Sequence, residues 1–328
     1  MLKASGYRKA FRDIVHGFSP EEYQGELIYL KHLSPHDQVE LEDLTEVYQR
    51  QAEDRGLPTE EDMLDFLEQE GSWTQKDNKE VERIENFIAL LQSSKTKIVL
   101  KSAIDKQNEL IAEEESKLMV KLQQKDDLIG NTCEKYAQQR TNDFYILRSF
   151  FKDKKLESPL LSEDEYNELA APELAILVRL YNDVFASFSE ESIQYLILED
   201  FYQPYLSFSD DSMQFYGIPF CQLTYNQVRM IVYTRIFKNI YENNHNIPEK
   251  VKKDPKALLD YGSISDEEKE KMKEKFEESD GSTLVGARKE DYEYLGITPP
   301  SGGVDLHEAA KKKGGSLNME DMMKLSGV

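Results

Sequence analysis

Apolar side chains along this chain recur mainly at intervals of three and four, the spacing of one helical face, and they become sparse towards the C-terminus. Four segments follow from the pattern. In residues 1–73, the runs 11–16 and 26–32 are short and β-branched or aromatic. A turn-rich stretch with Gly17, Ser19, Pro20 and Gly25 separates them, which predicts a small β-hairpin. Ser34 is positioned to cap a helix carrying Val39, Leu41, Leu44, Val47 and Tyr48 and ending near Gly56. Thr59 with Asp62 three residues on predicts a second capped helix bearing Met63, Leu64, Phe66 and Leu67, stopped by Gly71. Trp73, the lone tryptophan, stands beside another cap residue, Thr74, where it would fix the angle between successive helices.

Residues 74–130 are highly charged. Val81, Ile84, Ile88 and Leu91 form one narrow apolar stripe, and after a polar break Ile104, Ile111 and Leu118 repeat every seven residues, with Leu122 and Ile129 on the neighbouring core position. Two stripes joined by a break predict an antiparallel helical hairpin or coiled-coil arm. Asn108 and Glu115 fall at its second core position and make the seam imperfect. More than half of the aromatic residues lie between Phe144 and Tyr241, so the main core belongs to residues 131–246. Cap signals at Asn131 or Thr132, Ser162, Ser189 and Thr224, with Pro172 in a first turn, mark a helical bundle whose first helix reaches Phe150. Residues 247–328 carry charged runs and Gly-Ser punctuation, the composition of a largely disordered tail. Two apolar islands interrupt it, one with Tyr292, Tyr294 and Leu295, the other with Leu317, Met319, Met322, Met323 and Leu325. Sparse islands of this kind suit peptides that fold on a partner protein, and methionines adapt to irregular grooves. The expected fold class is therefore mainly α: a helical bundle with a hairpin arm, a small N-terminal β-hairpin and a flexible tail.

Charge changes which partners are expected. The 328 residues include 41 Lys+Arg and 63 Asp+Glu, a formal net charge of −22. A chain so acidic lacks the basic face that phosphate neutralisation needs, and it is repelled by anionic lipid surfaces. Nucleic acid and membrane are therefore not expected as partners. The tail is nearly balanced, so the acidity sits on residues 1–246. The first residues lack the apolar core of a secretory signal, and two cysteines cannot build a disulfide framework, which suits a reducing compartment.

Reaction chemistry is hard to find. No phosphate-binding glycine loop, nucleophile elbow or zinc-protease motif is present, so an enzyme is not expected and no cofactor or metal is implied. His32 and His36 are four apart with Pro35 between them, which argues for cap and loop-surface roles over a shared ligand face. Cys133 and Cys221 read as small core hydrophobes. Glu199-Asp200 has nothing to separate its two pKa values, and Asp210-Asp211-Ser212 reads as a turn or cap rather than a calcium loop.

The strings Tyr29-Leu-Lys-His-Leu-Ser-Pro-His-Asp-Gln38, Gly56-Leu-Pro-Thr-Glu-Glu-Asp-Met63, Trp73-Thr-Gln-Lys-Asp77, Ile129-Gly-Asn-Thr-Cys-Glu134, Asn142-Asp-Phe-Tyr145 and Tyr233-Thr-Arg-Ile-Phe-Lys-Asn239 resemble virion and tail-assembly proteins of large contractile-tailed bacteriophages. So does the ending Lys313-Gly-Gly-Ser-Leu-Asn-Met-Glu-Asp-Met-Met-Lys-Leu325. The resemblance is an overall pattern without a catalytic signature. It implies an assembly factor similar to tail-assembly chaperones, which hold the long tape-measure protein until the tube polymerises around it in the host cytoplasm. Its partners would be other phage structural or assembly proteins, with the oligomeric state left open. A structural virion protein of the baseplate, tail or neck is the alternative. An acidic decoy of a host DNA-binding protein is a third, disfavoured because acids alternate with lysines in the arm and tail.

Overall fold

In the computed structural model, residues 4–98, 100–244, 247–264 and 291 are described. The chain is mainly helical with one small antiparallel sheet. It divides into two compact units, each built from two stretches of sequence: residues 1–77 with 123–239, and residues 78–122 with 240–328.

The first unit opens with helix α1 (Ala4–His16), then strands β1 (Phe18–Tyr23) and β2 (Glu26–Lys31). The hairpin is present, but residues 11–16 belong to the helix and not to a strand. The reason is a buried stripe at Tyr7, Ala10 and Ile14, spaced three and four apart, which outweighs the β-branched composition of the run. Gly17, at φ +73°, ends the helix and starts the strand, a conformation that favours glycine. Helices α2 (Pro35–Asp54) and α3 (Glu60–Glu70) follow. Ser34 and Thr59 form reciprocal capping boxes with Asp37 and Asp62, and Gly71 adopts the left-handed conformation at the end of α3. At the start of α4 (Gln75–Lys95), beside the buried Trp73, the Asp77 carboxylate makes half of that arrangement, accepting from Thr74 N and Oγ1.

After α5 (Lys101–Ile129), the first unit resumes with α6 (Cys133–Arg148), capped by Thr132. Phe150 leaves that helix and pairs with Leu30, making β3 (Phe150–Phe151) the third strand. Its ring is fully buried, so Phe150 keeps its place in the core as a strand residue. Helices α7 (Glu163–Glu168), α8 (Ala171–Phe185) and α9 (Glu190–Leu198) come next, followed by a 3-10 stretch (Asp200–Asp210), α10 (Ser212–Tyr216) and α11 (Tyr225–Asn243). The N-terminal residues and the aromatic bundle are one body. Thr45 Oγ1 meets Thr141 Oγ1 at 3.0 Å, Cys133 N donates to Pro58 O, Tyr225 N donates to Leu33 O and Gln227 Nε2 donates to Val15 O. Tyr202, Phe150, Phe237, Ile193, Ile197 and Leu223 fill the centre.

The second unit contains most of α4 and the first three-quarters of α5, with the small helices α12 (Glu249–Lys252) and α13 (Pro255–Ser263). Residues 247–264 were expected within the tail, yet they are ordered helices that bury Val251, Leu258, Tyr261 and Ile264. Ile247 and Pro255 are buried as well, and Asp254 caps α13, accepting from the backbone N–H groups of Lys256 and Ala257. Gly262 gives this packing a sharp test. A Cβ there would sit 2.5 Å from both Cδ1 and Cγ1 of the buried Ile240. Gly262→Ala is expected to cost about 1–3 kcal/mol despite its better helix propensity, and adding Ile240→Val, which removes Cδ1, should restore part of it. Denaturant midpoints of the two variants check this.

Candidate functional site

The arm is built from facing stripes of α4 and α5. Ile88, Leu91 and Ile111 are buried together, with Ile84 and Leu118 against them. The helices run antiparallel, since Gln107 Nε2 reaches Leu91 O (3.0 Å) and Ser94 Oγ (2.8 Å) at one end, while Lys121 Nζ reaches Glu80 Oε2 (2.8 Å) at the other. The second core position is therefore Gln107, Glu114 and Lys121, one residue earlier than Asn108 and Glu115. Leu122 is exposed where the heptad spacing predicts burial, whereas Ile129 is buried. The shift has a chemical cause: Gln107 satisfies polar groups of α4, and Asn108 turns instead to Asp260 Oδ2 on α13 at 3.2 Å. A seam this narrow leaves large apolar side chains outside it. Leu90 is 61 % exposed and Met119 72 %, and Phe87, Leu110 and Val120 are exposed as well.

Between α5 and α13 lies a cleft of about 470 Å³ lined by Lys101, Asp105, Asn108, Glu109, Asp254 and Lys256. Asp260 also borders the cleft and is held by Lys95 at 2.5 Å.

The first unit has its own exposed apolar group: Tyr205, Phe208, Met213, Phe220 and Tyr225, with Val232 and Ile236 on α11. Arg235 ties α11 to the 3-10 stretch by donating to Ser209 O (2.8 Å) and Asp210 O (3.1 Å). Lys238 adds an ion pair to Asp210.

The binding residues expected in the tail, Tyr292, Tyr294, Leu295, Leu317, Met319, Met322, Met323 and Leu325, lie outside the described residues. The residue before the first of them does not. Asp291 is fully buried, accepting from Ser102 N (2.6 Å) and Ser102 Oγ (2.8 Å) at the start of α5. No local pattern could have revealed this contact, because its partners are separated by most of the chain.

The polar residues singled out for chemistry separate. His32 is not on the surface as expected: its ring is buried against Phe185 and Phe188 with Nε2 2.9 Å from Ser19 Oγ, while His36 is exposed at the start of α2 near Glu40. Among the described residues no group of three or more His, Cys, Asp or Glu could hold a metal ion. Cys133 is buried, with Sγ 3.0 Å from Leu57 O, but Cys221 is exposed. The 3-10 turn Phe220–Gln222 gives the inward position to Leu223 instead, so the expectation that both cysteines pack in the core fails for Cys221. Asp211 caps α10 by accepting from Met213 N, the role read from its sequence. Comparison with protein-family models, with curated proteins and with solved structures finds no match to this chain.

Proposed function

We propose that this protein is a bacteriophage tail-assembly factor that binds another virion protein, a tape-measure-like client, without catalysis. The observation that carries the reading is the arm: two long helices, held by a narrow seam, that leave Phe87, Leu90, Leu110, Met119 and Val120 to solvent. Apolar side chains at helical spacing on a slender, highly charged hairpin suit the transient cover of an amphipathic client helix. The net charge of −22 would keep such a complex soluble. No helix of the described residues is long and apolar enough to cross a membrane.

Co-expression with the tape-measure protein of the same genome tests the reading. The client should become severalfold more soluble and co-elute with this chain as a larger species. Unchanged client solubility together with an unchanged elution position rejects it.

The exposed Tyr205, Phe208, Met213, Phe220 and Tyr225 favour the second reading, a structural virion protein, because aromatic residues and methionine are enriched at protein interfaces. Mass spectrometry of purified particles would then find the chain at stoichiometric copy number. Its absence from particles rejects that version.

A further inference from the structure

The exposed apolar side chains of the arm fall on two different flanks. Ile88 on α4 and Ile111 and Leu118 on α5 are seam residues, and the positions just before them are Phe87, Leu110 and Lys117. In an antiparallel helix pair those preceding positions share one flank. Gln107, by reaching Leu91 and Ser94, sets Leu110, one turn further along α5, beside the turn of α4 that carries Leu90. Phe87, Leu90 and Leu110 therefore make one exposed apolar patch. Arg83, Lys106 and Lys117 border it, all exposed. The carboxylates of this flank are Glu113 and Glu80, and Glu80 is engaged by Lys121 at 2.8 Å.

The opposite flank carries Glu82, Glu85, Asp105 and Glu115 with Lys101. There α13 packs on the arm through Asp260, which accepts from Asn108. The segment of α12 and α13 brings Lys250, Lys252, Lys253 and Lys256. An acidic flank is thus covered in cis by a lysine-rich helical segment. The open flank, apolar with a basic border, is complementary to a helix of the converse charge.

We propose that the face of Phe87, Leu90 and Leu110 docks an amphipathic helix whose apolar stripe is bordered by carboxylates. That chemistry rests on the arm being the element that binds the client. It runs against the net charge of −22, which alone favours a basic partner. Residues 78–122 hold as many basic as acidic side chains, so the arm does not share that excess.

Binding of two synthetic helices to the full-length chain, read by fluorescence anisotropy, tests it. Each has about 21 residues and the same leucine stripe, bordered in one by glutamates and in the other by lysines. The native chain should bind the glutamate helix roughly three- to tenfold more tightly at low salt, and the difference should shrink as salt rises. Arg83→Glu combined with Lys106→Glu should reverse the order. A folding defect cannot mimic that result, because the variant must still bind the lysine helix. Preference of the native chain for the lysine helix, or an order unchanged by the two substitutions, overturns the proposal. So does a native dimer that Phe87→Glu splits in size exclusion, because the face would then belong to a second copy of the chain. A tape-measure client that fails to bind, with the peptide preference intact, rejects the client and not the chemistry of the face. A client that binds equally well to the doubly substituted chain does the reverse.

Discussion

Replacing Tyr202 with alanine should destabilise the first unit by about 3–5 kcal/mol, the cost of emptying a large, fully buried aromatic site. The ring is packed edge-on against Phe11, with centroids 5.6 Å apart, and meets Tyr205 at 5.7 Å and Phe215 at 6.3 Å. These contacts join α1, the 3-10 stretch and α10, so the cavity opens where three elements meet. The hydroxyl contributes separately. Thr234 Oγ1 gives its proton to Met230 O, so the phenol donates to Thr234 at 2.7 Å. Tyr202→Phe removes that bond alone and should cost about 1 kcal/mol. Urea denaturation of both variants separates packing from hydrogen bonding. Equal costs for the two substitutions would show that the ring contributes little.

Acid should weaken the same unit through His32. Its ring is buried between Phe185 and Phe188, at centroid distances of 5.4 and 4.7 Å, and its Nδ1 has no hydrogen-bond partner. Burial lowers its pKa to about 3 from an ordinary value near 6.5. Because the folded pKa is the lower one, the stabilising effect of the neutral ring is complete above pH 6.5 and is lost as pH falls towards 3. By pH 4 the loss from this group should reach about 3 kcal/mol. Burial raises the pKa of Asp13, which acts in the opposite sense over the lower part of that range, so the native curve alone does not isolate His32. His32→Gln does: its stability should vary less with pH by that amount, whatever its absolute level. Parallel pH curves for the native chain and the variant would contradict the assignment.

Local physics made much of the fold legible in the sequence. The caps at Ser34, Thr59, Thr132, Ser162, Ser189 and Thr224 are each a side chain accepting from the backbone N–H three residues on, and at Thr74 the Asp77 carboxylate accepts from the Thr74 N–H; each stands where the pattern predicts. The expectations that failed are those decided by tertiary competition. Residues 11–16 have strand-like composition, but the face made by Tyr7, Ala10 and Ile14 meets the core better as a helix. The arm's seam moved by one residue because Gln107 satisfies Leu91 O and Ser94 Oγ, which no heptad count weighs. Residues 247–264 looked like tail because two prolines and a lysine-rich composition outweigh apolar positions that do recur three and four apart, at Ile247, Val251, Pro255, Leu258, Tyr261 and Ile264. The candidate site was legible to the same extent: the arm was expected from its stripes, whereas the contact between Asp291 and Ser102 has no local signature at all.

The claim that the arm holds a client protein meets its most direct test in a paired co-purification. The tape-measure protein of the same genome is co-expressed with the native chain and with a Phe87→Glu, Leu90→Glu double variant. Both side chains already face solvent, so the variant should fold normally. The account predicts that the native chain keeps the client soluble and bound through size exclusion while the double variant loses it. Equal recovery of client with both chains would place binding elsewhere and contradict the account.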